Sequence, residues 1–400
     1  MKVLLLTQIY SDKPISGGVR IIWNYSQELA RQGIKVYVVA NSIDTDNLPQ
    51  HPNLKIYKVP FSSYALEPVS QDVLKSFFFS IPIILWHRIK IIHMVPVQTP
   101  CPFSKFKFGA KFIESAERTW NYEDRRVKHD LARDRRKKEA PTFNFFEKVF
   151  LRFSRLFYWL FKINQEYPHG ADAFFCRSQS MFDYIRNNHG IKSPLYYVPI
   201  GVNTNEFSPK SINKADDKFI FLTTGALSYR KGTHYLIDAY NEFSSKYKNK
   251  TELWLIGNSN SEILKELKQR TKTGSIKFID SVTPQQIAEY YTKCQVYISL
   301  ALIAEPGPLQ PNVLEAMASG KPLIISEYGD TRYFDKSGIA LTCRPYNKKS
   351  VVLAMERLFC DESLRNRLSA NSLKYVQNNF DWQVVTKNCI KYYQELLTKK

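Results

Sequence analysis

Two adjacent cations follow an apolar run near the middle of the chain. Residues 225–232 read GALSYRKG, and Arg230 and Lys231 stand beside Gly232, where a helix is predicted to start. A guanidinium and an ammonium at a helix N-terminus can pair with a diphosphate, because the first amides of a helix also favour anions. Taken alone, the stretch is better explained as a solvated basic turn. Its position at the carboxyl end of a predicted strand reverses that preference.

Two glutamates flank a turn rich in proline further along. Residues 305–326 read EPGPLQPNVLEAMASGKPLIIS, with Glu305 at the start and Glu315 in a short apolar helix. Asn312 to Glu315 reads N-x-x-E, which predicts a capping box with Asn312 as the N-cap. One or both glutamates could instead hold a polyhydroxylated ligand where the helix N-terminus attracts its phosphate. For Glu315 the two roles are compatible.

A pair of glycines gives a weaker signal. Gly17 and Gly18, in SGGVR, lie between the first predicted strand and the first predicted helix. They would let backbone amides approach an anionic ligand, although a plain tight turn explains them equally well. The sequence has no metal-ligand cluster, no G-x-S-x-G elbow and no full Walker loop. Chemistry here would therefore depend on carboxylates, cations and backbone dipoles.

Two series of alternating strands and helices must position these residues. The first begins with KVLLLT, an amphipathic helix that Gly33 ends, and KVYVVAN, which together form a βαβ unit. The second begins after the polar joint 208–218. We therefore predict an α/β protein of two Rossmann-like parallel-sheet lobes, 1–207 and 208–380, with a cleft between them. Ligands are expected at the carboxyl ends of the strands.

The segment 118–165 fits neither series. It holds 13 Lys or Arg against 6 Asp or Glu and then becomes aromatic and apolar at helical spacing. The plainer interpretation is a surface helix that packs its apolar stripe on the lobe. The alternative, which we favour modestly, is an interfacial helix in which Phe157 and Trp159 contact lipid and Lys and Arg meet anionic headgroups. No nucleic-acid-binding module accompanies the segment, so nucleic acid is not expected as a partner.

Composition sets the class of protein. The 400 residues are 44% hydrophobic and carry a formal net charge of +20, so a folded protein with an anionic partner is expected. Six scattered cysteines argue against a zinc site and a disulfide scaffold, and favour a reduced, cytoplasmic protein. The start, MKVLLLTQIY, reads as a strand rather than a signal peptide. The longest apolar run, FFFSIPIILW, is too short to span a bilayer.

The order of these motifs resembles one family of enzymes. VPIGVNTNEFSP and PNVLEAMASGKP are specific, and GADAFFCRSQSM and ELWLIGN are supportive. Together they are similar to the retaining glycosyltransferases of sequence family 4, over nearly the whole chain except about residues 62–90 and 118–165. The resemblance implies a GT-B fold, a nucleotide diphosphate sugar bound mainly by the C-terminal lobe, and no required metal or cofactor. It also implies that the closing helix, 381–400, packs back on the N-terminal lobe.

The resemblance also assigns a role to the basic pair. In the family, the lysine of such a pair contacts the donor phosphates, which corresponds to Lys231 here. The family's arginine stands just after the glycine, where this chain has Ala226. Arg230 is therefore expected to substitute for it.

The glutamates follow the family pattern only in part. The second motif glutamate of the family binds the nucleotide ribose and corresponds to Glu315, while the amides of Asn312 and Val313 are expected to face the phosphates or the sugar. The family separates its two glutamates by seven residues rather than nine. Counting back seven reaches Gly307, so Glu305 is either a displaced sugar contact or unrelated to the site.

A second departure concerns the N-terminal lobe. The family places a histidine that contacts the donor sugar after the strand corresponding to KFIESA, and there this chain has Glu117. A carboxylate at this point could stabilise an oxocarbenium-like state or act on the acceptor hydroxyl, or be a cleft-edge residue only. His93, at another strand end, is expected to be structural.

These observations predict a retaining, metal-independent glycosyltransferase that is peripheral on the inner face of a membrane. Its acceptor would be a hydroxyl of a lipid-linked, glycolipid or polysaccharide substrate. Two alternatives remain: a nucleotide-sugar 2-epimerase, and a degenerate lobe pair that binds without catalysis.

Overall fold

The structure is a computed structural model, and the described residues fall in ranges separated by gaps. These ranges are 1–12, 17–60, 69–95, 101–116, 145–161, 170–188, 190–210, 218–302 and 307–398. Glu117 and Glu305, the two predicted catalytic residues, lie outside them.

Seven parallel strands form the first sheet, in the order β3-β2-β1-β4-β5-β6-β7. The strands are β1 (Lys2–Tyr10), β2 (Lys35–Ile43), β3 (Leu54–Lys58), β4 (Ile91–Met94), β5 (Lys111–Ala116), β6 (Ala173–Cys176) and β7 (Leu195–Tyr197). The helices between them are α1 (Gly17–Arg31), α2 (Val69–His87), α3 (Phe145–Leu160) and α4 (Gln179–Asn188). The apolar β1 is buried along most of its length, as expected for a parallel strand covered on both faces.

Six parallel strands form the second sheet, in the order β10-β9-β8-β11-β12-β13. The strands are β8 (Phe219–Thr224), β9 (Thr251–Ile256), β10 (Ile276–Ile279), β11 (Val296–Ser299), β12 (Leu323–Ser326) and β13 (Leu341–Cys343). The helices are α5 (Thr233–Lys246), α6 (Ser261–Gln269), α7 (Pro284–Lys293), α8 (Pro311–Ala318), α9 (Lys348–Cys360), α10 (Glu362–Asn379) and α11 (Trp382–Thr398). The predicted pair of Rossmann-like parallel sheets is confirmed.

The chain divides into two units whose boundary differs slightly from the predicted one. The first unit runs to Pro199 and resumes at Trp382, so it includes α11; the second takes Ile200 to Asp381. The predicted joint followed residue 207. The boundary comes earlier because the amide of Val202 donates to the carbonyl of Phe380 at 2.8 Å, and the Thr204 hydroxyl donates to Asp381 at 2.5 Å.

Helix α11 packs within the first unit through buried tyrosines. The hydroxyls of Tyr393 and Tyr25, on α11 and α1, lie 3.0 Å apart. Gln32, just after α1, donates from Nε2 to the Thr386 hydroxyl at 2.6 Å. The carboxyl-terminal helix is thus part of the first unit's core although the second unit separates it in sequence.

Helix α3 packs against α2 on the same unit. The ring of Phe157 lies 6.3 Å from Phe77 and 5.5 Å from Phe78, measured between centroids. Phe157 is therefore partly buried on the side of α3 that packs against α2, and its contact with lipid stays a prediction. Trp159 lies on the outer face and is 72% exposed. Among the described helices, none combines the length and hydropathy that crossing a bilayer requires.

Candidate functional site

The second sheet reverses its strand order between β8 and β11, which are hydrogen-bonded neighbours. In doubly wound sheets a ligand crevice forms at the carboxyl ends of the two strands at such a reversal. The loop after β8 contains the predicted basic pair, and the chain after β11 leads to α8. The topology thus brings the two sequence motifs to one edge of one sheet.

The loop after β8 is held tightly against the chain that follows β11. Gly232, the N-cap of α5, has a φ of 67°, and a Cβ added there would lie 2.1 Å from the carbonyl oxygen of Leu300. The amide of Leu302 donates to the carbonyl of Arg230 at 3.0 Å. Gly232 is therefore required for both its conformation and the close approach.

Lys231 is the cation that this loop directs toward α8. Its side chain is half-buried, and Nζ donates to Oε1 of Gln310. Burial, with a smaller effect from the charge of Arg230, lowers the pKa of Lys231 to about 8. Arg230 itself is exposed. The pair thus consists of one fixed, desolvated ammonium and one guanidinium at the surface.

Helix α8 begins differently from the predicted capping box. Its N-cap is Gln310 and its first residue is Pro311, so Asn312 and Glu315 lie one and four positions beyond the first helical residue. The capping-box prediction is wrong because proline, which lacks an amide hydrogen, takes the first helical position. Gln310 makes no capping hydrogen bond with its side chain, which instead binds Lys231 and Tyr328.

Val313 and Asn312, whose amides are predicted to face a ligand, both make hydrogen bonds within this unit. The amide of Val313 donates to the Gln310 carbonyl at 3.0 Å, so it is engaged in the first turn of α8. The side chain of Asn312 donates from Nδ2 to the carbonyl of Thr224, the last residue of β8, at 2.6 Å. Asn312 therefore ties the start of α8 to the end of β8. Gly307 is half-buried in the loop that leads to α8.

The carboxylate of Glu315 is hydrogen-bonded to a buried tyrosine on the preceding helix. The hydroxyl of Tyr291, on α7, lies 3.2 Å from Oε2 of Glu315, 3.1 Å from the Asn312 carbonyl and 3.1 Å from the Thr224 hydroxyl. The Thr224 hydroxyl also lies 3.1 Å from that of Tyr297. Burial, chiefly, raises the pKa of Tyr291 well above its usual value, so its proton is retained as a donor. Glu315 itself is half-buried.

Two glycines form the turns at the carboxyl ends of β8 and β9. Gly225 and Gly257 follow β8 and β9, with φ values of 104° and 144°. A Cβ on Gly257 would lie 2.0 Å from the carbonyl oxygen of Gly225, so the two turns touch backbone to backbone. Their position directly after strand-like runs was visible in the sequence. Tyr291, Thr224 and Gln310 were missed, although a proline after Gln310 is the usual signal for a helix start.

The first unit holds the remaining predicted residues. Gly17 and Gly18 are the first two residues of α1, which follows β1 at the order reversal of the first sheet. They belong to a different unit from Lys231 and Glu315.

Polar groups in the first sheet are buried rather than presented at the strand ends. His93, on β4, is fully buried, with Nδ1 2.6 Å from the Tyr393 hydroxyl and Nε2 2.8 Å from the Ser115 hydroxyl. Burial and the charge of Arg177 lower the pKa of His93 well below its usual value. Both ring nitrogens are engaged, so His93 is structural. Glu114, on β5, is also buried, and burial raises its pKa to about 8.

In the described ranges, no cluster of three or more His, Cys, Asp or Glu has an arrangement that could hold a metal ion. The groups that can meet an anion at the second sheet's edge are the Lys231 ammonium, the Arg230 guanidinium and the start of α8.

Solved structures with this architecture are similar over the whole chain. A sucrose-phosphate synthase from Thermosynechococcus elongatus matches with a TM-score of 0.74 and 16% identity, covering 100% of both chains. Anabaena HepE in complex with UDP-glucose matches with a TM-score of 0.66 and 15% identity, covering 99% of this chain and 100% of the other. The two Rossmann-like sheets and this likeness define a protein of the GT-B fold class.

Sequence comparison identifies the family. A model of Glycosyltransferase Family 4 matches residues 15–206, and a model of glycosyl transferases group 1 matches residues 204–375. The chain belongs to the glycosyltransferases of family 4. Mannosylfructose-phosphate synthase of Agrobacterium fabrum is 23% identical over 239 residues, which are 55% of this chain and 52% of that protein. The chain spans about half the length of the curated relatives it matches.

Proposed function

We propose that this protein is a retaining glycosyltransferase that moves a sugar from a nucleoside diphosphate sugar to an acceptor hydroxyl. The observation that carries the proposal is the arrangement at the second sheet's reversal point. There, Lys231 is bound to Gln310 at the N-terminus of α8, and Glu315 is held one turn further along the same helix. A diphosphate pairs with a cation and with the start of a helix, and neighbouring hydroxyls can donate to a carboxylate.

The proposed donor is supported by solved relatives of the fold. HepE of Anabaena has been solved with UDP, with UDP and glucose, and with UDP-glucose. In this chain Glu315 would accept hydrogen bonds from ribose hydroxyls, and Lys231 would meet the diphosphate. The glycines at 225 and 257 let the turns after β8 and β9 pack backbone to backbone beside Asn312.

The proposed mechanism is front-face displacement through an oxocarbenium-like state. As the bond between the sugar and the diphosphate breaks, negative charge accumulates on the leaving phosphate oxygens. Lys231 and Arg230 would neutralise that charge, so the reaction is proposed to need no metal. The leaving oxygens would assist deprotonation of the acceptor hydroxyl on the same face, which retains the anomeric configuration. Glu117 and Glu305 remain the predicted sugar or acceptor contacts.

The proposed acceptor is lipid-linked, a glycolipid or a polysaccharide intermediate. Support comes from the first unit, where helices α2 and α3 expose large apolar side chains beside basic ones. A substrate anchored in a bilayer would require the enzyme to work at that surface.

The direct test incubates the protein with UDP-, GDP- and ADP-sugars in the presence of EDTA. Slow release of free nucleoside diphosphate without acceptor is expected for one donor base. The sugar released by this hydrolysis, or transferred to an acceptor, should keep its anomeric configuration by NMR. Conversion to an epimeric nucleotide sugar would indicate a 2-epimerase. Binding with no turnover would indicate a non-catalytic binding subunit. A thermal-shift screen with the same nucleotides selects the base beforehand, because a ligand of the native state raises its stability.

A further inference from the structure

The outer face of α3 is apolar. Val149, Leu156, Trp159 and Leu160 are each between 51% and 72% exposed, and their spacing places them on one side of the helix. A helix that only covers a lobe shows polar residues to solvent on this side. The outer face of α3 therefore has the composition of a buried surface without being buried.

Packing within the unit accounts for the inner face of α3 alone. Phe150 and Phe157 pack against the core cluster of the first sheet and α2, and Ser154 between them is buried. Helix α3 is thus apolar on two sides. The first is used by the fold, and the second needs another explanation.

Helix α2 extends the same surface. Phe78, Pro82 and Leu85 lie on one side of α2 and are exposed, as is Trp86 at 84%. The ring of Phe78 lies 6.3 Å from that of Phe153, which is exposed on α3. The exposed apolar sides of the two helices therefore meet at these two rings.

Basic side chains border this surface. Arg152 and Arg155 are exposed on α3, and Arg88 and Lys90 are exposed directly after α2. The sequence has no Asp or Glu between Val149 and Phe161. Aromatic and aliphatic side chains bordered by cations, without acidic residues, match the boundary between acyl chains and anionic headgroups.

We infer that the outer sides of α2 and α3 form a lipid-docking surface that lies flat on a bilayer containing anionic lipid. Trp86, Leu156, Trp159 and Leu160 enter the acyl boundary, and Arg152 and Arg155 meet the headgroups. The inner sides of both helices stay packed on the first sheet, so docking needs no unfolding. The inference concerns where the protein acts, and it stands whether or not the chain transfers sugar.

The test is co-sedimentation of the full chain with vesicles of phosphatidylcholine alone or with added phosphatidylglycerol. The wild type is expected to bind the phosphatidylglycerol vesicles and to bind neutral vesicles at least about tenfold more weakly, because each Arg near the surface contributes on the order of 1 kcal/mol. The double variant Leu156→Ser/Trp159→Ser should bind at least about tenfold more weakly than the wild type. Leu353→Ser, a 59% exposed leucine on α9 of the second unit, is the matched control and should bind like the wild type.

Folding is monitored for each variant by thermal unfolding, and outward-facing changes should leave the melting temperature unchanged. If the double variant has a lower melting temperature than the wild type, vesicle binding is measured instead for Trp86→Ser and for Arg152→Glu/Arg155→Glu. Arg357→Glu, at an exposed arginine on α9 of the second unit, is the charge control. Equal vesicle binding by folded variants would overturn the inference. So would a wild type that ignores vesicles but dimerises through this surface, shown by light scattering and lost in the double variant. Nucleoside diphosphate release in the absence of lipid should persist in the variants, which separates this test from that of the proposed transfer.

Discussion

The two sheets of this protein share a parallel, doubly wound topology but use their polar side chains differently. At the carboxyl ends of the second sheet's strands, Asn312 donates to the carbonyl of Thr224, and the Tyr291 hydroxyl lies within hydrogen-bond distance of Glu315. In the first sheet, His93 and Glu114 lie within the strands themselves and are almost fully buried. The same fold therefore presents its polar groups at the edge in one unit and encloses them in the other.

The difference separates groups that can meet a ligand from groups that hold the fold. A buried carboxyl such as Glu114 is kept neutral by desolvation, whereas Glu315 is half-buried and held by a tyrosine hydroxyl. Changes at buried groups such as Glu114 should alter stability and its pH dependence, whereas changes at Glu315 should alter binding and turnover.

The largest expected effect is that of Glu315→Gln. Loss of charge-assisted hydrogen bonds to the donor should lower kcat/KM for donor turnover by about 100-fold, corresponding to a loss of about 2–3 kcal/mol. The melting temperature should change little. Glu289→Gln, an exposed carboxylate on α7 of the same unit, is the control. Full activity of Glu315→Gln would remove the residue from the site.

Glu114→Gln tests the opposite side of the comparison. The folded-state pKa of about 8 lies above the usual 4.5, so the folded state retains a proton that the unfolded state releases. The free energy of unfolding of the wild type therefore falls as pH rises from about 4.5 to 8, by up to about 1.4 kcal/mol per pH unit from this group.

Because glutamine cannot ionise, the variant should gain stability relative to the wild type over that range. Denaturant titrations at pH 5, 6.5 and 8 measure the difference. Parallel profiles of the two proteins would show that Glu114 is not held neutral by burial.

The pH dependence of nucleotide binding should follow Lys231. Its pKa of about 8 means that the Lys231 side chain of the free protein loses its positive charge above that pH. A bound diphosphate favours the ammonium form, so binding takes up a proton there, and affinity should fall by about tenfold per pH unit above pH 8. Calorimetry in buffers of different ionisation enthalpy measures the proton uptake. Constant affinity from pH 7 to 9.5 would contradict a role for Lys231.

A smaller effect is expected from Tyr291→Phe. This change removes the hydroxyl near Glu315 while keeping the ring, so KM for the donor should rise about 5–10-fold, equivalent to roughly 1 kcal/mol. Tyr297→Phe is the matched control, because its hydroxyl bonds Thr224 instead. If Tyr291 acts by positioning Glu315, its effect should disappear in the Glu315→Gln background. Additive effects would argue for a separate structural role.

Sequence patterns predicted the sheets better than the site. Apolar runs of strand length, separated by amphipathic helices, identified both sheets, and Gly33 was correctly placed after the end of α1 with a φ of 84°. The basic pair and α8 were brought to one edge because the carboxyl ends of parallel strands meet there. For these elements the local sequence pattern and the order of the parallel strands lead to the same prediction.

Long-range contacts could not be predicted in the same way. Tyr291 lies 24 residues from Glu315 in sequence. The two meet because α7 contacts β8 and α8 contacts β11, which are neighbouring strands. The N-x-x-E pattern misled the assignment of the helix start, which Pro311 sets instead. In α3, periodicity could not tell the packed side from the exposed one because both are apolar. It therefore did not separate Phe157, which packs partly buried against the core, from the exposed Trp159.

A calorimetric titration of UDP, GDP and ADP into the wild type and Lys231→Ala at pH 7 tests the donor site most directly. At least one nucleoside diphosphate is expected to bind the wild type. Lys231→Ala should weaken that binding by at least about 30-fold, roughly 2 kcal/mol. Lys265→Ala, an exposed lysine on α6, should bind like the wild type. Unchanged binding by Lys231→Ala, or no binding of any of the three nucleotides, would contradict a donor site at the reversal point of the second sheet.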